Sequence, residues 1–184
     1  MVDVKKKNRL TEFNDSNILA FRKQCNNVKL RNIYFRLIHN DFFSREKMKR
    51  FNMIPDDKCD RCLSVETSKH LLFECVHSSK IWSFYNSIMR FLKNEQDCVI
   101  NYEDIFKIGP NMANNVVKVK TIQTMIQIER PKNWNMNRYT NIILNLIKTE
   151  KYNAIKNGKL HIFTKSWGQI DLFLTLDMNT NRIE

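Results

Sequence analysis

The chain has 184 residues, of which 42% are hydrophobic, and the aromatic residues include twelve Phe, five Tyr and three Trp. This apolar content is enough for a folded core and excludes a wholly disordered chain. Gly and Pro number only three each, which argues against an all-β sandwich or barrel because such folds need many tight turns. The formal net charge of +12 favours a polyanionic partner, with nucleic acid preferred to an anionic membrane surface.

The positive charge is concentrated at the two ends of the sequence. Residues 1–58 hold 14 basic and 7 acidic side chains, residues 59–110 hold 6 and 7, and residues 111–184 hold 11 and 5. The densest positive stretch runs from Arg22 to Arg50, where nine basic residues stand against Asp41 and Glu46. A basic surface that serves only solubility would give the same balance.

The N-terminal sequence and the cysteines indicate a compartment. The chain opens MVDVKKKNRL, without an apolar signal segment, and no stretch approaches the ~20 consecutive apolar residues that a membrane span needs. Five cysteines are an odd number, and Cys25 and Cys98 lack local partners. We therefore expect a reducing, intracellular location in which thiols bind metal. The run Lys5-Lys6-Lys7-Asn8-Arg9 is compatible with nuclear import, and we expect the nucleus.

Two helices are predicted before the cysteine-rich segment. In the first, over residues 28–39, the apolar residues recur at i, i+3, i+4, i+7 and i+8. They are Leu30, Ile33, Tyr34, Leu37 and Ile38. Ser44 is a suitable N-cap for a second helix that runs to residue 53. Met48 and Phe51 are expected to face inward from it.

Three further helices are predicted after Cys75. The first has Ser78 or Ser79 as a plausible N-cap. Its apolar stripe is Ile81, Trp82, Tyr85, Ile88, Met89 and Leu92. The second stripe is Val116, Val119, Ile122, Met125 and Ile126, and it ends at Arg130-Pro131 because the residue before proline disfavours the helical region.

The last predicted helix has Asn135 as its N-cap and ends before Gly158. It carries Met136, Tyr139, Ile142, Ile143, Leu146 and Ile147. Residues 170–176 fit either a short strand or the end of a helix. We predict a mainly α protein, a small helical domain with an embedded CCHC zinc knuckle. Its expected divisions are a polar basic lead-in (1–20), a zinc-binding helical module (21–95) and a C-terminal helical tail region (111–184).

The pattern Cys59-x2-Cys62-x7-His70-x4-Cys75 has the spacing of a metal site. Three thiolates and one imidazole can surround Zn²⁺ tetrahedrally, and four protein ligands leave no open position for water. We therefore expect one structural zinc. The alternative is a set of ordinary buried cysteines with a surface histidine, and His77 is the replacement ligand considered for His70.

The spacing also constrains the backbone around the ion. The Cys-x2-Cys pair is expected to act as a chelating knuckle with backbone amides directed at the thiolates. Residues 66–68 offer helix-capping chemistry just before His70. A regular helix would place His70 and Cys75 about 140° apart, so the helix must end or unwind before Cys75. Residues 71–73 are expected to pack the module against neighbouring helices.

The segment from Val28 to Ile88 resembles the zinc-binding region near the C-terminal end of non-LTR retrotransposon reverse transcriptases, the long-interspersed-element type. The resemblance rests on the order of an aromatic helix, a basic helix, the Cys and His pattern, and Ile81-Trp82. It implies that the four residues of the pattern bind Zn²⁺. It also implies that the module helps to hold template RNA or target DNA during target-primed reverse transcription.

Catalytic motifs of that family are not seen in this sequence. There is no aromatic-x-Asp-Asp motif for the two-metal carboxylates of a polymerase, and no acid-x-Lys follows Asp171. The pair Asp56-Asp57 is interpreted as loop solvation. We expect no catalysis by this chain, and we interpret it as a C-terminal piece, a degenerate copy or a stand-alone derivative.

Two functions are therefore compared. The first is a zinc-stabilised nucleic-acid-binding module that grips RNA template or target DNA. In it Tyr34, Phe42 or Phe43 could stack on unpaired bases if they are exposed, and core packing is the alternative for each. The phosphate contacts expected for it are Arg22, Lys23, Lys29, Arg31, Arg36, Arg45, Lys47, Lys49 and Arg50. The second is a structural docking module that packs on the polymerase body of the same element or on another protein. No membrane partner is expected.

Overall fold

The computed structural model describes residues 15–93, 99–126 and 136–180, and in these ranges it contains helices, turns and loops but no β-strand. The helical elements are residues 15–24 (α1), Val28–Ile38 (α2), Arg45–Arg50 (α3), a π-helical turn at His70–Glu74, Val76–Lys93 (α4), a 3₁₀ turn at Glu103–Ile105, Met112–Ile126 (α5), Met136–Lys156 (α6) and Leu160–Thr180 (α7). The prediction of a mainly α fold is confirmed.

The amphipathic helix predicted over residues 28–39 is confirmed as α2. The Asn27 side chain caps it by accepting a hydrogen bond from the Leu30 N–H at 3.2 Å. Leu30, Tyr34 and Leu37 are buried on one face, as the helical spacing requires. The phenol of Tyr34 donates to the Phe106 carbonyl at 2.7 Å, which fixes α2 to the 3₁₀ region.

The second helix is shorter than predicted. Ser44 is its N-cap, and its side chain accepts from the Lys47 N–H. The helix ends at Arg50, and Asn52 adopts a left-handed conformation with φ of 55°. The inward orientation expected of Phe51 is wrong, because this side chain is 61% exposed, and Met48 is only half-buried.

Helix α5 lies at the centre of the molecule and contacts α2, the π-turn, α4, α6 and α7. Every residue of its predicted apolar stripe is buried. Buried residues also occur on its other sides, among them Ala113, Val117 and Thr121. A helix that is buried all round is expected in the middle of a bundle. The hydrophobic core is one cluster around α5 to which α1, α2, the π-turn, α4, α6 and α7 all contribute.

Helices α6 and α7 pack against each other as a hairpin. Gly158, with φ of +65°, follows the end of α6, as expected for a glycine C-cap. The strand alternative for residues 170–176 is wrong, because the segment is helical. Phe163, Trp167 and Ile170 recur at i, i+4 and i+7 and are buried, so this helical periodicity decides the structure.

Helix α4 has 18 residues. It confirms the prediction of a long helix directly after Cys75. Its buried stripe contains Ile81, Trp82, Tyr85, Ile88 and Met89. The predictions on Leu92, Cys98, Arg130-Pro131, Asn135 and Met136, and those on residues 1–14, fall outside the residues whose side chains are described. Over the described ranges, no helix combines the length and the apolar character that crossing a bilayer requires.

Candidate metal centre

The side chains of Cys59, Cys62, His70 and Cys75 converge on a common centre. Their ligand atoms all lie within 4.8 Å of one another. The Cys59 and Cys75 sulfurs are 3.9 Å apart, and the Cys62 and Cys75 sulfurs are 4.0 Å apart. The Cys62 sulfur lies 3.2 Å from His70 Nε2. The sequence pattern is therefore a spatial cluster.

These distances suit a zinc ion. A tetrahedral site with Zn–S bonds of about 2.3 Å places its sulfurs about 3.8 Å apart, which agrees with the two sulfur–sulfur separations. Cys59, His70 and Cys75 are buried and Cys62 is half-buried. The donor set of three sulfurs and one imidazole nitrogen is typical of structural zinc. The residues fit one structural Zn²⁺, whose chemistry here is to cross-link the loop and the π-turn.

The knuckle has the backbone that the Cys-x2-Cys pair predicts. The Cys59 sulfur accepts hydrogen bonds from the backbone N–H groups of Arg61 and Cys62. The Cys62 sulfur accepts from the backbone of Ser64. Leu63 completes the turn in a left-handed conformation with φ of 64°, and its N–H donates to the Cys59 carbonyl at 2.9 Å.

The helix that carries His70 unwinds before Cys75, as the spacing predicts. The Cys75 N–H donates to the His70 carbonyl at 2.9 Å, an i to i+5 bond that defines a π-turn. This wider turn places the two ligands over one another. Thr67 begins the segment, and its hydroxyl accepts from the His70 N–H at 3.0 Å.

Two side chains of α4 complete the π-turn. Ser78 Oγ donates to the Leu71 carbonyl and Trp82 Nε1 donates to the Leu72 carbonyl, each at 2.6 Å. These bonds satisfy carbonyl groups that would otherwise be buried without a partner. The expectation that Ser78 or Ser79 caps α4 is wrong, because α4 already begins at Val76. Leu71 and Leu72 are buried in the core, which confirms their predicted packing.

The thiols have contrasting proton affinities in the absence of a metal. Burial raises the pKa of Cys59 to about 12. Burial also raises the pKa of Cys62, but hydrogen bonds from Ser64 and from the neighbouring thiols outweigh that effect and lower it overall. Since zinc binds the thiolate form, metal binding must release protons, and the proton of Cys59 is harder to remove than that of Cys62.

Arg45 clamps α3 to the knuckle, a role that sequence reasoning missed. Its NH1 lies 2.9 Å from both carboxylate oxygens of Asp60, which stands between Cys59 and Cys62. Its NH2 lies 3.2 Å from Asp56. The side chain is 17% exposed. The acidic residues next to the cysteines are the available signal. The interpretation of Asp56-Asp57 as loop solvation is wrong, because Asp56 pairs with Arg45 and Asp57 pairs with Lys49.

Glu66 makes a second connection between α3 and the knuckle. Its carboxylate accepts from the Arg45 N–H at 2.9 Å, and its carbonyl accepts from the Glu46 N–H at 3.2 Å. Its own N–H donates to the Asp57 carbonyl at 2.8 Å. Glu66 is 1% exposed. The start of α3 is therefore held by the same loop that carries the metal ligands.

The nine predicted phosphate contacts fall into two groups. Arg36 pairs with Asp41, Lys49 pairs with Asp57, Arg45 forms the clamp, and the Lys47 ammonium donates to the carbonyls of Asn40 and Phe42. For the other five no ion pair is found with the described residues. These five are Arg22, Lys23, Lys29, Arg31 and Arg50.

Several other expected roles are also settled by position. His77 is not part of the cluster of metal ligands. Cys25 is a core thiol, 3% exposed. Tyr34 and Phe42 are buried, at 1% and 4% exposure, so the core-packing alternative is confirmed for both and the condition for stacking is not met.

Part of the chain matches a known protein family. Residues 5–82 match the family described as zinc-binding in reverse transcriptase. The four metal ligands, the Arg45 clamp and the N-terminal part of α4 all lie within the matched segment. This supports a reverse-transcriptase zinc-binding region with one structural Zn²⁺ at Cys59, Cys62, His70 and Cys75. Neither the search of curated proteins nor that of solved structures returned a match.

Proposed function

We propose that this zinc-binding module binds nucleic acid, as the RNA template or target DNA of a non-LTR type of reverse transcriptase, in the nucleus. Zinc serves structure, and the chain itself is not the catalyst. The matched family is a zinc-binding region and not a polymerase domain. The observation that carries the proposal is a group of basic side chains, without an acidic partner among the described residues, in the segment that matches the reverse-transcriptase zinc-binding family.

The proposed contact surface, called the basic face, lies on α1 and the start of α2. It consists of Arg22, Lys23, Lys29 and Arg31. Arg22, Lys23 and Lys29 are exposed and Arg31 is half-buried. Because these cations have no acidic partner among the described residues, they retain their charge for an external anion. Arg50, whose guanidinium lies 5.4 Å from the Phe51 ring centroid, is a peripheral contact.

Phosphate binding by the basic face has a measurable signature. Four phosphate contacts with a single strand release counterions and give a slope of log K against log salt of about −2.8. Such a slope weakens binding about 50-fold between 50 and 200 mM salt. Tight binding that is insensitive to salt would not arise from this surface.

The test compares two variants of equal charge. In the first, Arg22, Lys23, Lys29 and Arg31 are all replaced by Glu. In the control, four exposed lysines of the α6–α7 hairpin are replaced by Glu. These are Lys148, Lys156, Lys159 and Lys165. Fluorescence anisotropy with a labelled single-stranded RNA and a DNA of the same sequence measures affinity at several salt concentrations, with both variants loaded with zinc.

We expect the basic-face variant to bind at least tenfold more weakly than the control, with a flatter salt slope. Equal losses in the two variants would mean that only the overall charge matters. The absence of salt-sensitive binding by the unaltered protein at micromolar concentration would overturn the proposal.

A second candidate function, docking on a polymerase body or another protein, is favoured by exposed apolar side chains near the knuckle. They are Phe51, Met53, Leu63, Val65 and Val76, each more than half exposed. Leu63→Asp combined with Val65→Asp should then weaken copurification with the polymerase domain of the same element. Nucleic-acid affinity should be unchanged, and the reverse result would reject docking through this surface.

A further inference from the structure

We propose that the groove between α1 and α2 binds single-stranded nucleic acid, with one unpaired base stacked on the ring of Phe35. The inference rests on the proposed function. It adds that the nucleic acid is single-stranded and that Phe35 distinguishes single strands from duplexes. It also replaces the buried Tyr34 and Phe42 as the stacking residues.

The groove has a volume of about 700 Å³ and opens to solvent. Its walls include Asp15, Leu19 and Arg22 of α1, and Val28, Arg31 and Phe35 of α2. Leu19 is 56% exposed and Val28 is 67% exposed. The groove therefore offers apolar surface between cationic groups, a combination that suits a base with its attached phosphate.

Phe35 is positioned for stacking and is not needed to fill the core. The side chain is 48% exposed, whereas its neighbour Tyr34 supplies the buried aromatic contact of α2. The Phe35 ring centroid lies 4.3 Å from that of His39, one turn later, with the planes inclined at 49°. The two rings form an exposed aromatic pair on the outer face of α2.

The charges around Phe35 are predominantly positive. Arg31 lies one helical turn before Phe35, and Arg22 faces it from α1 across the groove. Lys23 and Lys29 add exposed positive charge on the same two helices. Asp15 is the acidic residue in the groove wall, so the basic face outweighs it. Charge of this sign favours a polyanion over an uncharged apolar polypeptide as the occupant.

Stacking on Phe35 requires an accessible base. In a duplex the bases are paired and stacked on one another, so a side chain on the surface of α2 meets only the backbone. In a single strand each base has a free π-face, and contact with an aromatic ring tolerates any sequence. The groove should therefore discriminate single strands from duplexes, while phosphate contacts alone bind both.

The experiment uses the full chain loaded with zinc and three substitutions at one position. Phe35→Ala removes the ring, Phe35→Leu keeps an apolar side chain without a π-system, and Phe35→Trp keeps an aromatic face. Phe51→Ala is the matched control, since Phe51 is an exposed aromatic residue next to Arg50 but outside the groove. Anisotropy is measured with single-stranded RNA, single-stranded DNA and an RNA duplex.

We expect Phe35→Ala and Phe35→Leu to weaken single-strand binding by about 5- to 150-fold. Phe35→Trp and Phe51→Ala should bind within about twofold of the unaltered protein. Duplex binding should be unchanged in all four. With a strand carrying 2-aminopurine, fluorescence quenching on binding should disappear in Phe35→Ala.

The outcomes separate this inference from the proposed function. If the unaltered protein binds with the expected salt slope but Phe35→Ala is unaffected, the stacking site is wrong and nucleic-acid binding stands. Retention of affinity by Phe35→Leu would replace stacking by plain apolar contact and overturn the inference. If the unaltered protein shows no salt-sensitive binding, the stacking site and the proposed function are both wrong. A polypeptide would then be the remaining candidate for binding in the groove.

Discussion

The knuckle region, taken as α3 and residues 56–75, and the bundle of α5, α6 and α7 are held together by different interactions. α3 has six residues and none is buried. In α5, 11 of 15 residues are buried. Apart from Leu71 and Leu72, which join the core, the knuckle region relies on the Arg45 clamp, the connections of Glu66 and the metal, whereas the bundle relies on apolar packing around α5.

This difference teaches where the stability of each region comes from. A short loop with four clustered ligands buries too little apolar surface to offset its conformational entropy. Metal binding at a structural zinc site contributes roughly 10–16 kcal/mol of apparent free energy at neutral pH. A packed bundle of long helices needs no such contribution. Perturbations of the metal, the core and the polar ties should therefore act on different parts of the chain.

Metal removal should have the largest effect and should unfold one of the two regions but not the other. With a chelator at pH 7.5, we expect residues 56–75 and α3 to lose their amide protection, because the roughly 10–16 kcal/mol of metal binding is lost. Helices α5 to α7 should remain protected. Hydrogen exchange read by mass spectrometry, with and without added zinc, measures both regions.

The genetic counterpart of chelation is Cys75→Ala, with Cys25→Ala as its control. Both thiols are buried, but only Cys75 belongs to the cluster of ligands. Zinc content should fall from one ion per chain only in Cys75→Ala. Equal loss of protection in α5 and in the knuckle region would show that the two regions unfold as one unit.

Truncation in the bundle should give the converse result. Trp167 is 1% exposed and stacks on Phe163, with centroids 6.1 Å apart. Trp167→Ala should lower the free energy of unfolding by about 3–5 kcal/mol, measured by urea unfolding with zinc present. Tyr152→Ala, at a side chain 65% exposed, should change it by less than about 0.5 kcal/mol.

Zinc affinity provides the check on that comparison. Competition with a chromophoric chelator should give the same affinity for Trp167→Ala as for the unaltered protein. A matching fall in zinc affinity would mean that the bundle supports the metal site directly.

The two regions also differ in how far their sequences predict them. The stripes of α2, α4, α5 and α6 are predictable because burial on one face imposes a helical period. The four ligands are predictable because the metal requires their chemistry and close spacing. The unwinding before Cys75 follows from the angle between ligands five residues apart on a regular helix.

The interactions that orient these elements are not local in sequence. Arg45 reaches Asp60 across 15 positions, and Trp82 reaches the Leu72 carbonyl across ten. Composition gives the charges of such residues but not their partners. For this reason four of the nine basic residues predicted to bind phosphate prove to be engaged within the protein, and the exposed Phe35 was not identified. The predicted burial of Phe51 is wrong because α3 ends at Arg50, before the predicted end at residue 53.

Lys118 gives the bundle a pH dependence of its own. Burial lowers its pKa from 10.5 to about 8, a fall that Asp104 opposes and Lys107 adds to. A lysine with a depressed pKa in the folded state contributes stability that is fully present above pH 10.5 and is lost as the pH falls to 8. The change corresponds to about 3 kcal/mol.

The measurement is urea unfolding between pH 8 and pH 10, comparing the unaltered protein with Lys118→Met. Between pH 8 and pH 10 the free energy of unfolding should rise in the unaltered protein by more than it does in Lys118→Met, because the variant has no such group. Lys165→Met, at an exposed lysine, should keep the original pH profile. A profile in Lys118→Met parallel to that of the unaltered protein would contradict a depressed pKa.

The Arg45 clamp should have the smallest effect, and it tests whether polar ties outside the ligand set tune the metal. Arg45→Met removes the contacts to Asp56 and Asp60 while keeping an unbranched side chain. Because Asp60 lies between two ligands, we expect roughly tenfold weaker zinc binding, as for residues that support ligands at other metal sites.

Arg50→Met is the control for this last change, since Arg50 is an exposed cation at the end of the same helix. Its zinc affinity, measured by chelator competition, should equal that of the unaltered protein. In both variants the bundle should unfold at the same urea concentration as in the unaltered protein. Zinc binding in Arg45→Met that equals the Arg50→Met control would show that the metal alone positions the knuckle. Weakened binding confined to Arg45→Met would instead show that α3 and the metal loop stabilise each other, because the clamp would then be part of the free energy of the site.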